Sequence, residues 1–156
     1  MKKIERQAQK LLLERSALYP VVTVLGPRQS GKTTLCRKVF PGKPYVNLEQ
    51  PDVREFAQQD PKAFLAQHPD GAVLDEIQNV PGLLSWIQVL TDADPRPGRF
   101  VLTGSHQLQL SAQLSQSLAG RTAVIELLPL SLAELVAQHA ETPTEIDVNP
   151  WMLQGG

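Results

Sequence analysis

The sequence has one cysteine, Cys36, in 156 residues. That excludes an internal disulfide and fits a reducing compartment. No apolar run approaches the roughly 20 residues that a membrane-spanning helix needs. The basic opening, Lys2 to Lys10, has no apolar segment behind it of the kind that makes a secretory signal. Charge of neither sign dominates: 15 basic and 16 acidic residues leave a net charge of −1. Composition therefore points to neither a nucleic-acid stripe nor a membrane-hugging face. His68, His106 and His139 lack metal-ligand spacing, and no Ser-His-Asp set can be assembled. What remains is a soluble single domain, expected in the cytoplasm, with 42% hydrophobic residues to build a core.

Against that background, apolar periodicity alternates between two kinds. Residues 2–16 carry apolar positions at Ile4, Ala8, Leu11 and Leu12, a helical spacing broken at Tyr19-Pro20. Residues 21–26 are a β-branched run typical of a buried strand. A helix is expected over 32–40, a strand over 44–49, and two short helices split at Asp60-Pro61. Further strands are expected over 72–76 and 99–105, and a fifth strand after Gly120. Helices separate them, and Gly120 is a stop signal for the one before it. A last helix carries the capping pattern Ser131 to Glu134. Alternating strands and helices predict an α/β fold: a mainly parallel five-stranded sheet with helices on both faces. Ligands of such sheets sit beyond the carboxyl ends of the strands.

Residues 26–34 read Gly-Pro-Arg-Gln-Ser-Gly-Lys-Thr-Thr, the G-x-x-x-x-G-K-[ST] spacing of a P-loop, or Walker A motif. The glycines let consecutive amides turn inward around phosphate oxygens, and the following helix points its positive end at them. The expected phosphate-binding set is Gly26, Pro27, Arg28, Gln29, Ser30, Gly31, Lys32, Thr33 and Thr34. Lys32 is expected on the β- and γ-phosphates and Thr33 on Mg²⁺. Arg28 either flanks the phosphates or faces solvent, the solvated reading being the plainer one.

Asp75 and Glu76 close the 72–76 run. A carboxylate at that strand end suits Mg²⁺ with its water shell, the Walker B role. A second acid directly after it can take a proton from a water aimed at the γ-phosphate. Thr103 and Ser105 end the next strand as candidate γ-phosphate sensors; the plainer reading is a solvated turn. Arg121 is a candidate source of transition-state charge, in cis or from a neighbouring subunit, or else a surface arginine. No Asn-Lys-x-Asp segment of the guanine-reading kind occurs, so ATP is the expected nucleotide.

Five blocks in order, 23–35, 45–61, 72–92, 97–110 and 117–135, resemble the prokaryotic AAA-like ATPase family whose members carry a C-terminal domain of unknown function. The resemblance implies a P-loop fold of the additional-strand catalytic-glutamate type with its P-loop strand central, and ATP with Mg²⁺. It assigns Lys32 and Thr33 to phosphates and metal, Asp75 to Mg²⁺, Glu76 to water, and Thr103 or Ser105 to sensing. The family's glycine-arginine pair falls on Gly120-Arg121. Residues 1–140 would form the ATPase domain. Residues 141–156, ending in Gly155-Gly156, would begin a following segment that relatives continue, so a shortened chain is expected. The expected activity is ATP hydrolysis coupled to an unknown protein partner, with no membrane or direct nucleic-acid signal; a homo-oligomer is compatible with the motifs. The alternative is a nucleotide-binding module with negligible hydrolysis. A small-molecule kinase is disfavoured, because residues 107–120, where a lid would lie, contain no lysine or arginine.

Overall fold

The computed structural model describes residues 2–27, 30–105 and 107–127. The expected last helix with its Ser131–Glu134 cap, the 141–156 segment, Arg28 and Gln29 lie outside the described residues.

Strands β1 (Val21–Leu25), β2 (Tyr45–Asn47), β3 (Val73–Asp75), β4 (Phe100–Gly104) and β5 (Thr122–Glu126) form one sheet. Its order is β2-β3-β4-β1-β5, and every pairing is parallel. The helices are α1 (Lys2–Ser16), α2 (Lys32–Val39), α3 (Pro51–Gln59), α4 (Pro61–Ala66), α5 (Leu83–Ala93) and α6 (Leu108–Leu118). Helix boundaries follow local chemistry. Asp60 caps α4 by accepting a bond from the Ala63 amide at 3.1 Å. Gly120, at φ 78°, ends α6 with the left-handed turn that glycine adopts without penalty.

Both faces of the inner strands β1, β3 and β4 are covered, which is why these are buried without alternation, while the edge strand β5 alternates. Val21, Leu25, Leu74, Phe100 and Leu102 point into one core with Phe64, Leu65, Leu83, Leu84, Ile87 and Leu110. Val22, Val24, Val73, Val101 and Ile125 point into the other, against Ala8 and Leu12 of α1 and Leu35 and Cys36 of α2. The two-residue side-chain period thus divides each strand between two cores.

Three details differ from the sequence expectation. β2 is three residues long, because the chain turns at Asn47, whose side-chain oxygen accepts the Glu49 amide at 2.9 Å. β3 ends at Asp75, and Glu76 has left the strand. The P-loop strand β1 is fourth in the order rather than at the centre; β4 is the middle strand and separates β1 from β3. Register aligns Leu25 with Gly104 and Leu74 with Leu102, so the ends of β1, β3 and β4 share one edge. Among the described residues no helix is long and apolar enough to cross a membrane.

Candidate functional site

The loop after β1 is built around close approach. A Cβ on Gly26 would lie 2.8 Å from Ser30 Oγ and 3.0 Å from the Leu127 carbonyl oxygen. Glycine is the residue that fits. The Gly26 amide donates to the Gly104 carbonyl at 3.1 Å, which ties the loop's start to the end of β4. Gly31, at φ 88° and ψ 11°, turns the chain into α2. The first amides of α2 have no acceptor within the helix and carry its positive dipole end. Ser30 Oγ is buried without a hydrogen-bond partner, a condition rare for buried hydroxyls and one that a bound polar ligand relieves. Lys32 is 3% exposed. Its Nζ lies 3.4 Å from the Pro27 carbonyl oxygen and 3.7 Å from Glu76 Oε2. Thr34 is exposed on the first turn of α2. The amides at the start of α2, an orphan hydroxyl and a sequestered ammonium form a donor set that fits phosphate oxygens.

Asp75 is the hub beside this loop. Thr33 Oγ1 donates to Asp75, 2.9 Å from Oδ1 and 3.1 Å from Oδ2. Thr103 Oγ1 donates to Oδ1, and the Tyr45 hydroxyl donates to Oδ2 at 2.5 Å. A threonine hydroxyl against a carboxylate is a hard-oxygen pair that suits Mg²⁺, which keeps most of its waters. Burial, and then the Asp75 carboxylate, push the Tyr45 hydroxyl well above its ordinary range. The Arg37 guanidinium lies 4.4 Å from the centre of the Tyr45 ring, one helical turn beyond Thr33 on α2. Cys36 lies on the same helix. Burial, with Asp75 adding, pushes its thiol up to about 12, Lys32 opposing.

Glu76 stands apart from every other described non-glycine residue in having a positive φ, at φ 63° and ψ 54°. Such a conformation costs about 1–3 kcal/mol and survives where neighbours over-determine it. They do so here. The Glu76 amide donates to Thr103 Oγ1 at 3.0 Å. Its carbonyl accepts from the Asn79 amide and from Asn79 Nδ2, both at 3.1 Å. Its side chain points back toward Lys32, and Oε1 accepts a bond from Gln78 Nε2 at 2.7 Å. Thr103 thereby holds both acids in place, donating to Asp75 and accepting from Glu76.

The structure brings together Gly26, Ser30, Gly31, Lys32, Thr33, Asp75, Glu76, Thr103 and Ser105 at one sheet edge. It does not bring Arg121 there. Arg121 precedes β5, and its carbonyl accepts from the Val21 amide at the start of β1. Five strand residues at roughly 3.3 Å each separate that end from the loop, about 16 Å in all. An arginine side chain does not span this, so the in-cis expectation for Arg121 is corrected. Its guanidinium instead grips Asp92 at the end of α5, through Nε at 2.5 Å and Nη2 at 3.1 Å. Sequence reasoning missed Tyr45 and Gln78. Tyr45 carries no sequence signal, since its reach to Asp75 depends on β2 pairing with β3. Gln78 stands two residues after the acid pair, and that proximity was its only mark.

The matches to known proteins agree with this geometry. The AAA domain family model matches residues 18–136. The chain is 35% identical over 141 residues to uncharacterised proteins of Mycobacterium tuberculosis and Mycobacterium bovis. Each match covers 88% of this chain and 32% of the relative, so the chain spans about a third of the curated relatives' length. A Walker-type ATPase of Pyrococcus abyssi has a similar fold, with a TM-score of 0.51 at 16% identity, over 79% of this chain and 52% of that one. The chain belongs to the AAA domain family, as an α/β domain of the nucleotide-binding, ATPase-like kind.

Proposed function

We propose that the domain binds ATP with Mg²⁺ and hydrolyses it by attack of water on the γ-phosphate. The observation that carries this reading is the strained Glu76, whose carboxylate faces Lys32 while its neighbour Asp75 pairs with Thr33. The loop from Gly26 to Thr34 receives the phosphates on the amides at the start of α2 and on Ser30 Oγ. Lys32 leaves Glu76 for the β- and γ-phosphates, which frees the carboxylate. Thr33 and Asp75 would hold Mg²⁺, which would supply positive charge to the phosphate oxygens. Glu76 orients the water and takes its proton. Thr103 keeps both acids in register, and Ser105 lies beside them as a sensor candidate. Arg121, on the opposite edge, would act only on a neighbouring copy. The output of the cycle is passed to a protein partner.

Equilibrium binding of ATP and GTP with Mg²⁺, followed by phosphate release, tests this. Lys32→Ala is expected to weaken ATP binding by at least about tenfold, roughly 1.4 kcal/mol. Glu76→Gln is expected to retain binding and lose about 10²- to 10⁴-fold in turnover. A wild type that binds ATP but releases phosphate no faster than Glu76→Gln leaves a second reading, a binding module without hydrolysis. The distance of Arg121 from the cradle favours that reading in an isolated chain.

A further inference from the structure

Gln78 is half-buried in the 3-10 turn Ile77–Asn79, directly after Glu76. Both ends of its amide are committed. Nε2 donates to Glu76 Oε1 at 2.7 Å, and Oε1 accepts the Ser105 backbone amide at 3.2 Å. The amide therefore bridges the carboxylate after β3 to the backbone after β4. Gly104 keeps the bridge open. A Cβ there would lie 3.0 Å from Gln78 Oε1 and 2.6 Å from Leu110 Cδ2. The bridge also separates the two oxygens of Glu76: Oε1 is taken by Gln78, while Oε2 lies 3.7 Å from Lys32.

We infer that Gln78 is the positioning residue of the hydrolytic reaction, setting the Glu76 carboxylate so that Oε2 is the oxygen presented to water. The inference rests on the hydrolytic reading proposed above. A glutamate side chain has three torsions, and its strained backbone fixes none of them. One strong bond to an amide anchored on a neighbouring strand removes that freedom, and a displaced catalytic group loses rate steeply. Glutamine suits the task because one planar group offers a donor and an acceptor in opposite directions. The bridge also makes Glu76 sensitive to β4: a shift at Gly104 or Ser105 moves the amide, and with it the carboxylate.

Two variants of the full 156-residue chain separate the two ends of the bridge. Gln78→Met keeps the length and loses both bonds. Gln78→Glu keeps an acceptor for the Ser105 amide and replaces the donor to Glu76 by a repelling carboxylate. Both are expected to lower kcat by about 10- to 100-fold while KM and the equilibrium affinity for Mg·ATP stay within about threefold. In the nucleotide-free protein, hydrogen exchange at the Ser105 amide is expected to quicken in Gln78→Met and stay near wild type in Gln78→Glu. Wild-type kcat in both variants, or unchanged Ser105 exchange in Gln78→Met, overturns the inference. So does a loss of affinity that matches the loss of kcat, which would make Gln78 a plain support of the pocket. A Gln78→Met chain that fails to fold leaves Gln78→Glu to decide by the same kcat criterion. A wild type without phosphate release overturns the hydrolytic reading and this inference together; a hydrolysing wild type with indifferent variants overturns this inference alone.

Discussion

Asp75 gathers three hydroxyls, from Thr33, Thr103 and Tyr45, onto two oxygens. Only Tyr45 reaches it from the outermost strand, β2, and its ring is also the platform for Arg37. Tyr45→Phe keeps the ring and removes the donor. The expected loss is about 1 kcal/mol of stability, small because Thr33 and Thr103 continue to bond the carboxylate; urea unfolding measures it. Cys36 makes a second residue-level prediction. Its thiol is raised from an ordinary 9.0 to about 12 in the folded chain, so the folded state favours the neutral form. The resulting stabilisation is complete below the unfolded thiol's pKa near 9 and is lost as pH rises from there toward 12. A thiol reagent at pH 8 is expected to label Cys36 only on unfolding, and Cys36→Ala should flatten the alkaline loss of stability. Pre-existing labelling of the folded chain would contradict the burial of this side chain.

At the scale of elements, strand and helix identities were legible because the two apolar periods differ so plainly between β1 and α1. The boundaries were not. Glu76 looked like the last residue of a strand, yet it adopts a left-handed conformation that no propensity favours for glutamate. A tertiary bond from the Glu76 amide to Thr103, and a local turn closed by Asn79, impose it. Turns show the same dependence. Gly71 sits at φ +96°, and a Cβ on it would fall 1.5 Å from the Arg99 carbonyl oxygen. Gly71→Ala therefore combines backbone strain with a clash that only main-chain movement can relieve. The expected cost is more than about 3 kcal/mol, visible as a large drop in the denaturation midpoint. Asp60→Ala, which removes only the cap of α4, is expected to cost about 1 kcal/mol by the same measurement.

At the scale of the whole molecule, the parallel sheet sorts residues by strand end. The residues directly after β1, β3 and β4 converge, and Arg121, directly before β5, lies on the far side. The sequence offers Arg121 as a source of transition-state charge, in cis or from a neighbouring subunit, or else as a surface arginine. The topology assigns it to a clip with Asp92, whose carboxyl the Arg121 hydrogen bonds hold below the usual 3.8. The sign follows from that depression: the clip contributes above the unfolded carboxyl's pKa and is lost as pH falls through the folded value. Asp92 is exposed and Arg121 only partly covered, so the contribution is slight. Arg121→Ala is expected to leave the ATP affinity of the chain unchanged, as titration with nucleotide would show; weakened binding would place the guanidinium nearer the phosphates than the sheet allows.

The sequence by itself determined the fold class, the glycine loop and the acid pair, because each is written in contiguous residues: apolar period, glycine spacing, and two carboxylates after a short apolar run. Tertiary structure alone decided which distant side chains serve them. Tyr45 meets Asp75 across 30 residues of chain, and Thr103, which the sequence offers as a sensor, meets Asp75 and Glu76 across 28 and 27. Arg121 is withheld from them by the length of one strand. Such contacts depend on strand order and register, and in a parallel sheet neither is local: the neighbours β1 and β4 are joined through most of the chain between them.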